Sequence, residues 1–190
     1  MHTANTLTLA LATASGALAA PLAARQANEF SLAMALGDGV VALTAVLNGT
    51  DIVLEAGRLS VYPGQEAHFI GADAYLAVIL DFTNNTGPLA GYTQYGLVVP
   101  DVGHVAGAAA TVTAVKDYDD FDFTFSVADG VISHKLTATT NTWFACEDTV
   151  NGEQNLVLKW GNSKQDGSLP DGCQPATFIQ NFNIPGGPSS

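Results

Sequence analysis

From residue 30 onward the chain is a series of short apolar and β-branched runs broken by Gly, Pro, Asn and Asp, and this cadence narrows its possible folds most. It predicts strands over Phe30–Leu36, Val40–Leu47, Asp51–Glu55, Leu59–Tyr62, Ala67–Ile70, Tyr75–Phe82, Tyr92–Val99 and Ala110–Val115. Further strands are predicted over Phe121–Val127, Val131–Thr137, Thr142–Cys146, Asn155–Trp160 and Ala176–Phe182. Many short strands joined by Gly-containing turns predict an all-β fold rather than a parallel α/β one. The run Phe121-Asp122-Phe123-Thr124-Phe125-Ser126-Val127 alternates strictly, which places its aromatic side chains on one face and its polar ones on the other.

Three segments echo one another. Leu36-Gly37-Asp38-Gly39, Gly71-Ala72-Asp73-Ala74 and Ala128-Asp129-Gly130-Val131 each set an Asp next to a small residue between two apolar runs. Asp-Gly suits the positive φ angles of a tight hairpin because Gly has no Cβ to clash. Three such hairpins predict a compact barrel resembling a β-trefoil, with a β-sandwich as the alternative. A chain of 190 residues, 47% hydrophobic and only 13% charged, has the material for a single core, which the strand pattern assigns to residues 30–182.

Eighteen acidic residues against six basic ones give a formal charge of −12. A phosphate backbone repels such a surface, so nucleic-acid binding is excluded.

The segment 7–24 is an Ala/Leu-rich apolar run in which Ala17-Leu18-Ala19 matches the small-residue pattern of a signal-peptidase site. We expect a signal peptide over residues 1–19, with Ala24 as a second site of cleavage, then an N-terminal segment to residue 29. Pro21 and Arg25 interrupt the run, which argues against a membrane anchor. No later stretch is long and apolar enough to span a bilayer, and the tail 183–190 reads as flexible. The expectation is a secreted protein, monomeric and free of membrane after processing. Two cysteines, Cys146 and Cys173, then face an oxidising compartment, where one disulfide is the economical reading. Closing a loop of about 28 residues contributes roughly 3–4 kcal/mol on the chain-entropy model. The tripeptides Asn48-Gly49-Thr50 and Asn84-Asn85-Thr86 are N-glycosylation acceptors and place both segments at the surface.

No catalytic residue and no cofactor is expected. Asp117, Asp119, Asp120 and Asp122 form the densest acidic cluster, and closely spaced carboxylates attract a hard cation such as Ca²⁺. The run lacks the Gly and terminal Glu of a known loop motif, so a solvated turn is the plainer reading. Glu55, Glu66, Glu147, Asp148 and Glu153 are the acids from which a glycosidase pair would have to come, a mechanism that needs two carboxyls at a set separation, one with a raised pKa. His68, His104 and His134 show no metal-ligand spacing, and Ser60, Ser126 and Ser133 lie in ordinary strand patterns rather than in a nucleophile elbow. Trp143, Trp160, Tyr92 and Tyr95 are candidates for stacking on sugar rings, against the plainer reading that both Trp residues pack in the core near the disulfide.

The C-terminal third carries a family likeness. Phe125-Ser126-Val127 with Asp129-Gly130-Val131-Ile132, then Thr142-Trp143-Phe144-Ala145-Cys146, then Asn155-Leu156-Val157-Leu158, then Cys173-Gln174-Pro175-Ala176 resembles the C-terminal domain of fungal Pir-type cell-wall mannoproteins and the related PhiA-like secreted proteins. The resemblance covers about 60 residues. It implies an extracellular fungal protein with a structural role, no cofactor, cell-wall polysaccharide as a partner, and Cys146 and Cys173 as a structural pair. The glutamine-containing repeats that tie Pir-type proteins to β-1,3-glucan do not occur here, so the likeness implies retention by weak contacts or plain secretion. The competing expectations are a carbohydrate-binding module for wall glucan or a host glycan and, from the enzyme class, a glycoside hydrolase.

Overall fold

In the computed structural model two Asx-Gly pairs form two-residue loops with both φ angles positive, whereas Asp38-Gly39 does not: the loop there is Gly37-Asp38, with only Gly37 at positive φ, 55°. Asp129 and Gly130 have φ of 50° and 79°, Asn151 and Gly152 of 52° and 85°. Each pair closes a hairpin whose flanking residues, Ala128 with Val131 and Val150 with Glu153, face each other directly. The structure describes residues 30–56, 66–72, 75–82, 89, 93–134 and 141–182. The leader, the segment 20–29, the Leu59–Tyr62 strand, Asn84, Tyr92, Ser60 and the tail 183–190 lie outside the described residues.

Among the described residues the architecture is nearly all β. The strands are β1 (Ser31–Leu36), β2 (Gly39–Asn48), β3 (Asp51–Ala56), β4 (Glu66–Ala72), β5 (Tyr75–Asp81), β6 (Gln94–Val98) and β7 (Ala109–Thr111). They continue as β8 (Thr113–Val115), β9 (Phe125–Ala128), β10 (Val131–His134), β11 (Asn141–Val150), β12 (Glu153–Asn162), β13 (Cys173–Pro175) and β14 (Thr177–Asn181). A single 3₁₀ turn, Tyr118–Asp120, separates β8 from β9. All pairings are antiparallel, in the order β13-β11-β12-β3-β2-β1-β14-β10-β9-β5-β6-β8, with β4 added to β5 and β7 to β12. β8 also pairs with β3, so the pairings from β3 round to β8 return to their start. The three Asp-containing segments singled out in the sequence join β1 to β2, β4 to β5 and β9 to β10.

Strand alternation divides the side chains into two sets. One set forms the main core: Phe30, Leu32 and Met34 from the start of the chain, Ile52 and Leu54 from β3, Val78 and Leu80 from β5, and Leu97, Phe125, Ile132, Leu158 and Phe178 from later strands. These residues lie far apart in sequence, so the core exists only once the circuit of pairings has formed. The other set makes a small separate cluster of Val53, Val150 and Val157, with Val46 packed against it.

Two differences from the sequence reading have local causes. The alternating run predicted as a strand from Phe121 to Val127 pairs only from Phe125, because Asp117 accepts the Asp119 N–H at 3.2 Å and winds the preceding residues into the 3₁₀ turn. The runs predicted as Thr142–Cys146 and Asn155–Trp160 are halves of a ten-residue ribbon, β11 with β12, closed by the Asn151-Gly152 turn. Its partner β13 is too short and polar to register as a strand by pattern.

The disulfide joins Cys146 of β11 to Cys173 of β13, residues directly opposite in the ladder and 27 apart in sequence. Replacing both cysteines with Ser is expected to lower the unfolding free energy by roughly 3–4 kcal/mol, read as a lower urea midpoint with a steeper slope, because the uncrosslinked unfolded chain exposes more surface. Gly161 is constrained in a different way, since a Cβ there would run into the carbonyl oxygen of Ala108 and lie 2.7 Å from Ala109 Cα, both backbone atoms. Gly161→Ala should therefore cost at least about 1–3 kcal/mol, whereas Gly39→Ala, whose Cβ meets only Leu36 O at 3.7 Å, should cost less than about 1 kcal/mol in the same melts.

Candidate functional site

His134 ends β10 with its side chain fully buried in the aromatic interior. The rings of Phe125, Trp143 and Trp160 surround it edge-on, with centroids 5.2, 6.3 and 5.1 Å away. A polar ring in such a place needs hydrogen bonds, because an unpaired polar group in an apolar interior is costly. The segment before β9 supplies them. His134 Nε2 lies 2.6 Å from Asp122 Oδ2 and 2.5 Å from Thr124 Oγ1. Thr124 also donates its N–H to Asp122 Oδ1 at 2.9 Å and its hydroxyl to the same oxygen at 2.5 Å.

These contacts assign the protons. An ionised carboxylate only accepts, so Nε2 carries the hydrogen and donates it toward Asp122, with the Thr124 oxygen sharing it. Burial pushes the Asp122 carboxyl upward, but hydrogen bonds from His134 and Thr124 together with the charge on His134 outweigh that penalty and hold it below its ordinary value of 3.8. Both protein contacts use Nε2, while Nδ1 of His134 and the indole Nε1 of Trp160 meet no protein partner among the described residues. A serine-protease-like relay needs the acid and the nucleophile on opposite ring nitrogens. Here both sit on one, so the arrangement orients a buried ring and satisfies its Nε2 rather than relaying a proton.

The acidic run does not gather around a cation. Asp117 caps the 3₁₀ turn, Asp119 and Asp120 are exposed, and Asp122 turns inward to His134. Among the described residues no three metal-ligating side chains converge. The Ca²⁺ candidates Asp117, Asp119, Asp120 and Asp122 are thus put to separate uses: strand alternation was expected to turn Asp122 outward, and the buried imidazole draws it in.

Of the aromatic candidates, the two Trp residues take the plainer role of core side chains, away from the disulfide. Trp143 and Trp160 face each other across β11 and β12 with centroids 4.5 Å apart, and are only 6% and 4% exposed. Trp143 also donates its indole N–H to Ile132 O at 3.0 Å and packs edge-on against Phe178. Neither ring can offer a face to a sugar. Nor do they lie beside the disulfide: Trp143 and Cys146 have opposite parity on β11, so the indoles fill the main core while the sulfurs sit on the other face. Tyr95 is half-buried and packs edge-on against Phe82 at 5.8 Å. Two aromatics are exposed among the described residues: Phe182 at the end of the described chain, and Tyr118, 58% accessible in the 3₁₀ turn and flanked by Phe121 and Phe123 at 5.3 and 5.4 Å. The position of Tyr118 within an acidic turn was the available signal.

The acids named for a glycosidase pair are differently employed. Glu55 is buried in β3 opposite Thr44 and Val157, and Glu147 and Glu153 are exposed. Asp148 forms an ion pair with Lys159 at 2.6 Å, and that hydrogen bond holds its carboxyl below the ordinary value, the reverse of what a general acid needs. Glu147 points to the opposite face of β11 from Asp148. Ser126 and Ser133 face each other across β9 and β10. His68 is half-buried in β4, and His104 lies exposed in a turn beside a shallow groove lined by Asn162 and Lys164. Lys164 is paired with Asp171 at 2.5 Å.

Asn48 ends β2, at the mouth of a concavity of about 130 Å³ on the face that carries the valine cluster. Its Oδ1 accepts the Asn151 N–H at 3.3 Å, and Asn151 Nδ2 donates to Leu47 O at 2.7 Å, which ties the β2–β3 turn to the β11–β12 turn.

No family model, no curated protein and no solved structure matches the chain.

The Asp122 carboxylate has a lowered pKa, so its contribution to stability is present above the ordinary value of 3.8 and is lost as pH falls through the lower folded-state value. At about pH 7, Asp122→Asn should destabilise by roughly 1–3 kcal/mol, because the buried ring loses its charged acceptor. At about pH 2 the variant and the parent should differ less, since below 3.8 the unfolded chain takes up a proton on this carboxyl and the stabilisation from its charged form falls away. Urea melts at the two pH values measure this; an Asp122→Asn penalty that stays constant or grows in acid would contradict the assignment.

Proposed function

We propose that this chain is a secreted, non-enzymatic structural protein of the fungal cell wall or extracellular space. The observation that carries the reading is the Cys146–Cys173 bond across adjacent strands, a linkage that persists in oxidising compartments and is rare in the cytosol. It stands within the ordered features, from Phe125 to Ala176, that resemble the Pir-type and PhiA-like domain. The apolar leader and the two N-glycosylation tripeptides support the same destination.

The way side chains are used supports a structural rather than a catalytic role. The one buried His–carboxylate pair among the described residues is sealed among aromatic rings, and Asp148 is committed to an ion pair. For the finer fold, the circuit of pairings that leaves β3 and returns to it through β8 supports a barrel over a sandwich, with an interior filled by side chains. The trefoil form of that barrel draws its support from the Asp-containing turns at Asp38 and Asp129 and from the echo of the same pattern in the sequence at Asp73.

A second reading, a carbohydrate-binding module, is favoured by Tyr118. Its exposed ring, with Asp117, Asp119 and Asp120 around it, combines an apolar face for sugar C–H groups with acceptors for sugar hydroxyls. Sedimentation with insoluble β-1,3-glucan separates the two. The structural reading expects weak retention that is unchanged in Tyr118→Ala; the module reading expects Tyr118→Ala to weaken binding about tenfold or more, the scale of losing about 1.4 kcal/mol. Intact mass of protein recovered from culture medium, with and without reductant, tests the shared premise: a leaderless chain whose two thiols react only after reduction is expected, and free thiols in the exported protein would overturn it.

A further inference from the structure

We propose that the concavity beside the β2–β3 turn seats the first sugar of a glycan carried by Asn48. This rests on the secreted reading above, since attachment takes place in the secretory pathway.

Asn48, Asp51, Val53, Thr111, Thr113, Asp148, Val150 and Val157 line one small concavity. Strand parity puts all of them on the same side of the sheet. Asn48 faces Asp51, Thr113 faces Val53 and Thr111 faces Lys159 across the ladders, and Val150 and Asp148 alternate along β11 on that side. The bottom is valine and the rim carries two carboxylates and two hydroxyls. A pyranose ring has the complementary layout: an apolar C–H face that a valine floor covers, and equatorial hydroxyls that donate to carboxylates and accept from threonines. About 130 Å³ is well under the several hundred Å³ typical of sites for drug-sized ligands, so the space suits one ring rather than an oligosaccharide.

Asn48 links the concavity to an occupant, because the tripeptide Asn48-Gly49-Thr50 is the attachment signal and Asn48 itself forms part of the wall. The Asn151 N–H holds the Asn48 carboxamide by its oxygen. The nitrogen of the same group is the atom to which a sugar is joined. In the transfer, Asn48 Nδ2 forms a bond to the sugar C1 of a polyprenyl-diphosphate-linked oligosaccharide. The C1–O bond to diphosphate breaks, the diphosphate leaves with the electron pair, and the amide nitrogen gives up one proton. Once β2 and β3 close their turn, with Gly49 at φ 66°, the sugar on Asn48 lies at the edge of the valine floor. There it rests over valines that the fold already buries nearly completely, Val53, Val150 and Val157, so that what it gains is chiefly contact with the polar rim of Asp51, Thr111, Thr113 and Asp148.

The test uses the full chain secreted from a eukaryotic host, once with its own N-terminus and once with a proven secretion leader fused to that N-terminus. Failure of the first form alone to leave the cell counts against the secreted reading, while the second still delivers the protein to the glycosylating compartment. Site mapping by mass spectrometry should find a glycan on Asn48. An endoglycosidase that leaves one sugar on each site should not change the melting temperature. Thr50→Ala, which removes the signal but keeps Asn48 and its bond to Asn151, should melt about 2–4 °C lower after the same treatment. An unmodified Asn48 in the delivered protein, or equal melting temperatures for the trimmed parent and the trimmed Thr50→Ala protein, would overturn the proposal. Equal temperatures together with a rise when a free hexose is added would assign the concavity to a soluble sugar and overturn the attached one.

Discussion

The ladder between β11 and β12 is the contact on which the other parts of this protein converge. It runs without interruption from Asn141 paired with Asn162 to Val150 paired with Glu153. Because alternate residues point to opposite sides, one ribbon supplies the Trp143–Trp160 pair to the main core and Cys146, Val150 and Val157 to the other face. On its outer edge β11 receives β13 and the disulfide; on its inner edge β12 meets both β7 and β3. A one-residue slip in this register would turn the indoles outward and bring the valines and Cys146 inward at a stroke. The Asn151-Gly152 turn, with both φ angles positive, is what selects the register.

The buried imidazole follows from that ribbon. Trp143 and Trp160 leave a space at the end of β10 that His134 enters, and a ring placed there has to be answered by polar groups. The answer comes from Asp122 and Thr124, which precede β9 and so form no regular ladder. Had the alternation from Phe121 continued as paired strand, Asp122 would have faced solvent. Pairing starts at Phe125 because the 3₁₀ turn at Tyr118–Asp120 and the approach of the Phe121 ring to Gly96 take up the residues before it. The interior thus exchanges a short length of sheet for a satisfied polar contact, and the same exchange carries Tyr118 to the surface.

What was legible in the sequence was the part governed by local chemistry. Asp129-Gly130 identified its hairpin because only a few residues tolerate two consecutive positive φ angles, and the apolar runs around it showed where strands lie. The Cys146–Cys173 bond was legible for a similar reason, since two cysteines allow a single pairing. The faces of the strands were harder to read. Trp143 is three residues from Cys146, close enough in sequence to suggest one neighbourhood, yet opposite parity puts the two on different sides of β11. Pattern also missed β13, whose Cys-Gln-Pro has no periodicity and is a strand only because β11 offers an edge to it. The inward turn of Asp122 depends on His134, a residue from another strand, and no local rule couples them.

The same separation explains why the two sides of the sheet carry different chemistry. The main core draws side chains from nearly every strand, so its residues are large, apolar and fully enclosed. The valine cluster draws on β2, β3, β11 and β12 alone, and its three buried valines, with Val46 alongside, depend on flanking residues to enclose them. Polar residues therefore border it: Asp51 and Thr113 at one side, and Asp148 tied to Lys159 at another. An apolar floor with a polar rim, placed where two turns are bound together through Asn48 and Asn151, suits a small amphipathic group better than it suits bare water. A sugar attached at the rim would meet those polar groups without the entropy loss that binding a free ligand incurs, because the covalent link holds it nearby from the start.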